Sequence, residues 1–168
     1  MTDTPTGALA AEVVHALIGH AATVAVAESL TGGLVCAALT SVPGASSVVR
    51  GAVVAYATEL KGDLLRVDSE LLGREGAVHA DVAAQMAEGV RVRLGADLGV
   101  STTGVAGPEP QDGRPVGEVY IAVATPFQTH VQPLMIDPAL GRSGIRAATV
   151  DAVLQLMIQV LTTRSLDE

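Results

Sequence analysis

Positive charge is scarce in this 168-residue chain, where ten Lys and Arg face eighteen Asp and Glu and leave a formal net charge of −8. Nonspecific nucleic-acid binding relies on clustered Lys and Arg that displace counterions from phosphates, so this balance argues against it. Any anionic ligand must find a local basic pocket. Aromatic residues are scarcer still, with no Trp, one Phe and two Tyr in a chain that is 49% hydrophobic. The core must therefore be built from Ala, Val, Leu and Ile, which suits helices packed on a sheet. The single cysteine, Cys36, excludes an intrachain disulfide and any Cys-based zinc cluster, and fits a buried structural thiol in a reducing cytoplasm. The opening "MTDTPTGALAAEVV" has no basic segment followed by an apolar run, and no stretch of about eighteen apolar residues occurs. These absences predict a soluble, unexported protein that does not associate with membranes. The P-loop's Gly-Lys-Ser/Thr and the Gly-rich dinucleotide fingerprint are both missing, and the four histidines show no metal-ligand spacing.

Lysine is almost absent as well. Nine of the ten basic residues are arginine, and the exception, Lys61, lies in "VVAYATELKGD" at residues 53–63. A guanidinium stays protonated, whereas a desolvated ammonium can lower its pKa and act as a base. A lone surface lysine without a role is the plain alternative.

The length suits one domain with a sizeable core. Leu9, Val13, Ala16 and Leu17 predict an amphipathic helix over 6–19, introduced by Thr and Pro. "TVAVAE" reads as a buried strand, "SLTGG" as a turn, and "LVCAALTSV" as a helix stopped by Pro43 and Gly44. "GAVVAYA" is a second strand, followed by short helices or turns over 58–66 and 68–76. Val82, Met86, Val90 and Leu94 predict a helix over 80–95. "DLGVSTTGVAG" is a strand running into a Gly-rich loop, "QDGRP" a turn, and "EVYIAVATP" and "HVQPLMI" two neighbouring strands, the second at an edge because of Pro133. A long amphipathic helix closes the chain. The alternation predicts a three-layer α/β/α sandwich with a mostly parallel mixed sheet and an antiparallel hairpin at one side. No internal repeat, linker or low-complexity segment interrupts it.

In open α/β sheets, ligands bind outside the carboxyl ends of the strands. That rule gathers Glu28, Ser29, Thr31, Gly32 and Gly33 after the first strand, Tyr56 after the second, and Thr102, Thr103, Gly104 and Gly107 after a later one. On one continuous helix Tyr56 and Lys61 would point about 140° apart, but a strand end followed by a helix start brings them together. Plainer readings stand beside these. Ser29 or Thr31 can cap a helix, although caps and anion sites use the same amides. Ser46 in "PGASS" suits a turn, and Tyr56 suits a core position with its hydroxyl in water. Arg142 and Arg146, four apart at the start of the last helix, oppose its dipole; this suits either a phosphate clamp or a solvated face.

Taken in order, "VAVAESLTGGLV", "VPGASSVVRGAVVAYATELK", "VSTTGVAGPEP" and "RPVGEVYIAVAT" resemble the CinA C-terminal domain family over about residues 8–163. Many of its members are nicotinamide-nucleotide amidohydrolases. Larger members carry a further N-terminal domain related to molybdopterin-binding proteins, and this chain resembles the stand-alone form. The resemblance implies hydrolysis of nicotinamide mononucleotide (NMN) to nicotinate mononucleotide and ammonia, without metal or organic cofactor. It implies catalytic roles for Ser46, Tyr56 and Lys61, with Ser29 and Thr103 nearby. In the mechanism this suggests, neutral Lys61 deprotonates Ser46 and Tyr56 relays the proton. The "GAS" amides, aided by Ser29 or Thr103, then hold the oxyanion. Arg142 or Arg146 binds the phosphate with the "TGG" amides of Thr31, Gly32 and Gly33; Gly104 borders the site. The nucleophile remains open between Ser46 and Ser29. A homo-oligomer is expected. The alternatives are a noncatalytic competence- or damage-related partner protein and a nucleotide sensor.

Overall fold

In the computed structural model, which describes residues 4–163, the first helix starts at the Thr4–Pro5 signal. The Thr4 hydroxyl accepts from the Gly7 amide at 3.1 Å, and Pro5 occupies a position whose missing N–H costs nothing. The elements are α1 (Pro5–Gly19), β1 (Val24–Glu28), α2 (Leu34–Thr40), β2 (Val49–Val54), α3 (Thr58–Leu65), α4 (Ser69–Glu75), α5 (Ala80–Leu94), β3 (Leu98–Gly104), β4 (Glu118–Ala124), β5 (Thr129–Met135) and α6 (Gly141–Thr163). Short 3₁₀ turns lie at Ala45–Ser47 and Pro138–Leu140.

The sheet order is β2-β1-β3-β4-β5. β1 pairs in parallel with β2 and β3, while β4 is antiparallel to both β3 and β5, so every strand but β4 runs the same way. Helices cover both faces of this mixed sheet, as the alternation of elements predicts. β5 is an edge strand, and Pro133 sits within it opposite Tyr120.

The two faces differ in side-chain size. Val24 and Val26 of β1, Leu98 and Val100 of β3, and Val119, Ile121 and Val123 of β4 pack against α1, α2 and α6. Each such fully buried side chain contributes on the order of 1.5–3 kcal/mol. On the opposite face stand Ala25, Ala27, Gly99, Ser101, Ala122 and Ala124, and α5 lies close upon them. A Cβ on Gly99 would fall 1.9 Å from the Ala87 carbonyl oxygen, and the Ser101 hydroxyl donates to the Ala83 carbonyl at 2.6 Å.

The segment 138–163 is long and apolar enough to cross a membrane by length and composition, and half of that window is buried within this fold. Ile145, Val153, Leu154 and Met157 account for its apolarity as core residues. β2 ends at Val54, so Tyr56 lies in the connection to α3 rather than in the strand.

Candidate active site

Alternation along β1 decides what happens at its carboxyl end. Val24, Val26 and Glu28 face α2 and α6, so the next residue, Ser29, turns to the face that carries α3 and α5. Its amide stays tied to the Thr102 carbonyl at 3.0 Å. Lys61 approaches from α3. A helical side chain leans toward its own N-terminus, which carries the lysine stem back over the β2–α3 connection. There Nζ donates to the Ala55 carbonyl at 2.7 Å and the Tyr56 carbonyl at 3.4 Å, and lies 3.1 Å from Ser29 Oγ.

Lys61 is fully buried, and Ser29 is only 9% exposed. Burial pushes the Lys61 pKa down from 10.5 to about 8, against Glu59 and then Asp112, which pull it up. A neutral amine has two N–H bonds and one lone pair. With Ala55 and Tyr56 accepting the two hydrogens, the lone pair is left for the Ser29 hydroxyl proton. The arrangement is chemically that of a base beside a nucleophile.

A small cavity of about 120 Å³ opens over Ser29, bordered by Leu30, Tyr56, Val78, Ala106, Glu109 and Arg142 among others. Thr103 and Gly104 also line it; the Thr103 hydroxyl is committed to the Ala77 carbonyl at 2.7 Å. At the mouth, Arg142 donates to the Tyr56 hydroxyl at 2.6 Å and to the Gly107 carbonyl at 2.7 Å. A wider groove between α3 and α5 is lined by Leu64, Gly89 and Val92, and none of its lining residues is a Ser, Thr or Cys.

Several sequence expectations change here. Ser46 lies in the exposed 3₁₀ turn before β2, at the amino end of a strand whose carboxyl end leads to Tyr56 and Lys61. Six residues of strand span roughly 20 Å, so Ser46 and the "GAS" amides are at the wrong end of the sheet to meet Lys61. Tyr56 reaches Lys61 through its backbone carbonyl, while its hydroxyl faces Arg142, so it relays no proton between serine and lysine.

Two of the "TGG" amides, those of Gly32 and Gly33, are also taken. The fully buried Glu28 carboxylate accepts from Gly33 at 3.0 Å, Val35 at 3.1 Å and Cys36 at 2.9 Å, and Gly32 donates to the Ser29 carbonyl at 3.1 Å. Thr31 is wholly buried, with its hydroxyl 2.7 Å from that of Thr102. This turn is therefore a strand-borne helix cap instead of a phosphate cradle. Arg146 is likewise engaged, donating to the carbonyls of Leu30 at 2.9 Å and Thr31 at 3.0 Å. Glu28 ends the predicted strand, and its capping role is not legible there, because a carboxylate six residues before the first residue of the helix it caps matches no local capping pattern. Among the described residues, no acceptor meets the amides of Leu30, Ala106 or Gly107, which border the cavity.

Fold and site together define a class: a mixed α/β/α sandwich with a buried serine–lysine pair at the carboxyl edge of its central strands. The CinA C-terminal domain model matches residues 6–161, and the chain belongs to that family. It is 48% identical over 149 residues to a CinA-like protein of Frankia casuarinae, covering 89% of this chain and 34% of that one. A CinA-like protein of Synechococcus is 49% identical over 150 residues, covering 89% and 36%. The chain thus spans about a third of the length of the curated relatives it matches. Among solved structures, the competence/damage inducible protein CihA of Agrobacterium tumefaciens superposes with a TM-score of 0.90 at 34% identity, covering 96% of this chain and 98% of that one. A CinA superfamily protein of Klebsiella pneumoniae gives 0.90 at 29% identity, covering 95% and 99%.

Proposed function

We propose that this chain is a cytoplasmic amidohydrolase of pyridine nucleotide recycling that converts NMN and water to nicotinate mononucleotide and ammonia. Ser29 is the nucleophile and Lys61 the base. The observation that carries this reading is the buried Lys61 Nζ, 3.1 Å from Ser29 Oγ with two carbonyls on its other side. An amide has a poor electrophile and a poor leaving group, so both a strengthened nucleophile and a proton for nitrogen are needed.

Lys61 takes the Ser29 hydroxyl proton as Oγ attacks the carboxamide carbon. The developing oxyanion is held by amides bordering the cavity, for which Leu30, Ala106 and Gly107 are available. The Lys61 ammonium then protonates the amide nitrogen, the C–N bond breaks, and ammonia leaves a nicotinoyl ester on Ser29. Water attacks that ester, gives a proton to Lys61, and releases nicotinate mononucleotide as Ser29 regains its hydrogen. Arg142, exposed at the mouth, exchanges its contacts with Tyr56 and Gly107 for the 5′-phosphate. Arg146 holds the Ser29–Thr31 turn in place. No step calls for a metal or organic cofactor, nucleic acid or membrane, and a homo-oligomer suits the apolar helices.

Ammonia release from NMN by the purified protein is the test. Ser29→Ala is expected to lose at least about 100-fold, in line with loss of activated nucleophile and base chemistry, whereas Ser46→Ala keeps wild-type activity. A folded wild-type protein that releases no ammonia overturns the reading. An active Ser29→Ala beside an inactive Ser46→Ala would return the nucleophile to Ser46.

A further inference from the structure

Of the residues bordering the cavity, Arg142 and Lys61's neighbours account for its polar floor and mouth, but Glu109 has no such role. Three other carboxylates near the site are engaged: Glu28 by three amides at the start of α2, Asp112 by the Ala77 amide, and Glu118 by Arg114 and Tyr120. Among the described residues, Glu109 makes no hydrogen bond or ion pair. Among the described residues it is the one carboxylate on the cavity wall, in a protein that must hold an anionic phosphate against its own net charge of −8. Tyr56 is unusual too. It is 56% exposed, borders the cavity, and has its hydroxyl pinned by Arg142. Leu30, Val105 and Ala106 supply buried apolar wall.

We propose that Glu109 and Tyr56 are specificity determinants for a cationic aromatic ring, selecting an N-alkylated pyridinium carboxamide over its uncharged dihydropyridine form. This deepens the NMN reading and rests on it. A quaternary ring nitrogen has no hydrogen to donate, so only an anion's field, an aromatic face and apolar walls can recognise it. Glu109 and Tyr56 provide the first two, and Arg142, which holds the Tyr56 hydroxyl and the Gly107 carbonyl, supplies the positive charge for the phosphate beside them. The cavity thereby matches a ligand that is positive at the ring and negative at the phosphate. Hydrolysis then places a new carboxylate beside Glu109, and like charge favours departure of the product.

The test measures binding by calorimetry in a Ser29→Ala background, which blocks turnover and removes the lower intrinsic reactivity of the reduced carboxamide from the comparison. NMN and its dihydro form carry the same phosphate and differ in ring charge. Adding Glu109→Gln is expected to weaken NMN about tenfold and the dihydro form less than about twofold. Tyr56→Leu is expected to reduce the same preference, and Tyr56→Phe, which keeps the aromatic face, to retain it. Equal weakening of both ligands by Glu109→Gln, or no weakening of either, overturns the inference while leaving the amidase reading intact. If the Ser29→Ala protein binds neither nucleotide, both fall together.

Discussion

Lys61 has three oxygen neighbours and, when neutral, only two protons to give them. That mismatch is what makes a base of it, and it explains why arginine cannot substitute. Lys61→Arg is expected to be as inactive as Lys61→Met, with losses of about 10²–10⁴-fold in ammonia release. In the wild type, kcat/KM for NMN should rise with pH and level off above about 8, where Lys61 sheds its proton. An active Lys61→Arg enzyme would mean that the residue supplies charge alone. The two arginines separate in the same way. Arg142 is exposed at the mouth, so Arg142→Ala should raise KM for NMN about tenfold with little effect on stability. Arg146 holds two carbonyls of the nucleophile's turn, so Arg146→Ala should lower kcat and the melting temperature together. Lys61 was legible because a lone lysine among arginines invites a chemical question. The identity of its serine was not, because "PGASS" and "AESLTGG" offer the same hydroxyl, and only the direction of β2 tells which one lies at the carboxyl edge.

At the scale of elements, β1 and α2 are joined by a side chain as well as by a turn. Glu28 reaches from the strand end to the first amides of α2, whose N-cap residue, Gly33, has φ of 100° and no side chain to offer. Glu28→Gln places an NH₂ against those amides and should cost about 1–3 kcal/mol, read as a lower denaturation midpoint. Sequence periodicity located the helices well because Val82, Met86 and Val90 recur on one buried face of α5. It revealed nothing of how near α5 comes to the sheet. The small residues responsible, Ala25, Ala27, Gly99 and Ser101, come from separate strands and form a surface only after pairing. Gly99→Ala tests that contact. A Cβ would lie 1.9 Å from the Ala87 carbonyl and 2.6 Å from Arg91 Cβ, so α5 must shift. A loss of about 1–3 kcal/mol is expected by chemical denaturation, and because α5 backs β3, whose Thr103 lines the site, kcat should fall as well.

For the molecule as a whole, the site is a destabilising feature that the rest of the fold sustains. The large side chains between the sheet and α1 and α6 form one continuous core, while the thinner opposite face encloses a lysine that, among the described residues, has no carboxylate partner. Its pKa is about 8 in the folded protein and near 10.5 when unfolded. Between those values the unfolded chain binds more protons, so stability rises with pH through that window. The favourable contribution of neutral Lys61 is fully present above 10.5 and is lost as pH falls through about 8. The difference corresponds to roughly 3 kcal/mol. Lys61→Met removes this titration and also strands the carbonyls of Ala55 and Tyr56, an offset that does not depend on pH. Every other titrating group is common to both proteins and cancels. The expected result is therefore a slope: subtracting wild-type from variant stability, measured by urea denaturation, should give a difference that is nearly constant below about pH 7 and falls by roughly 3 kcal/mol between pH 7 and 11. A flat difference across that range would show that Lys61 keeps an ordinary pKa in the fold, and the buried-base account of the site would fail with it.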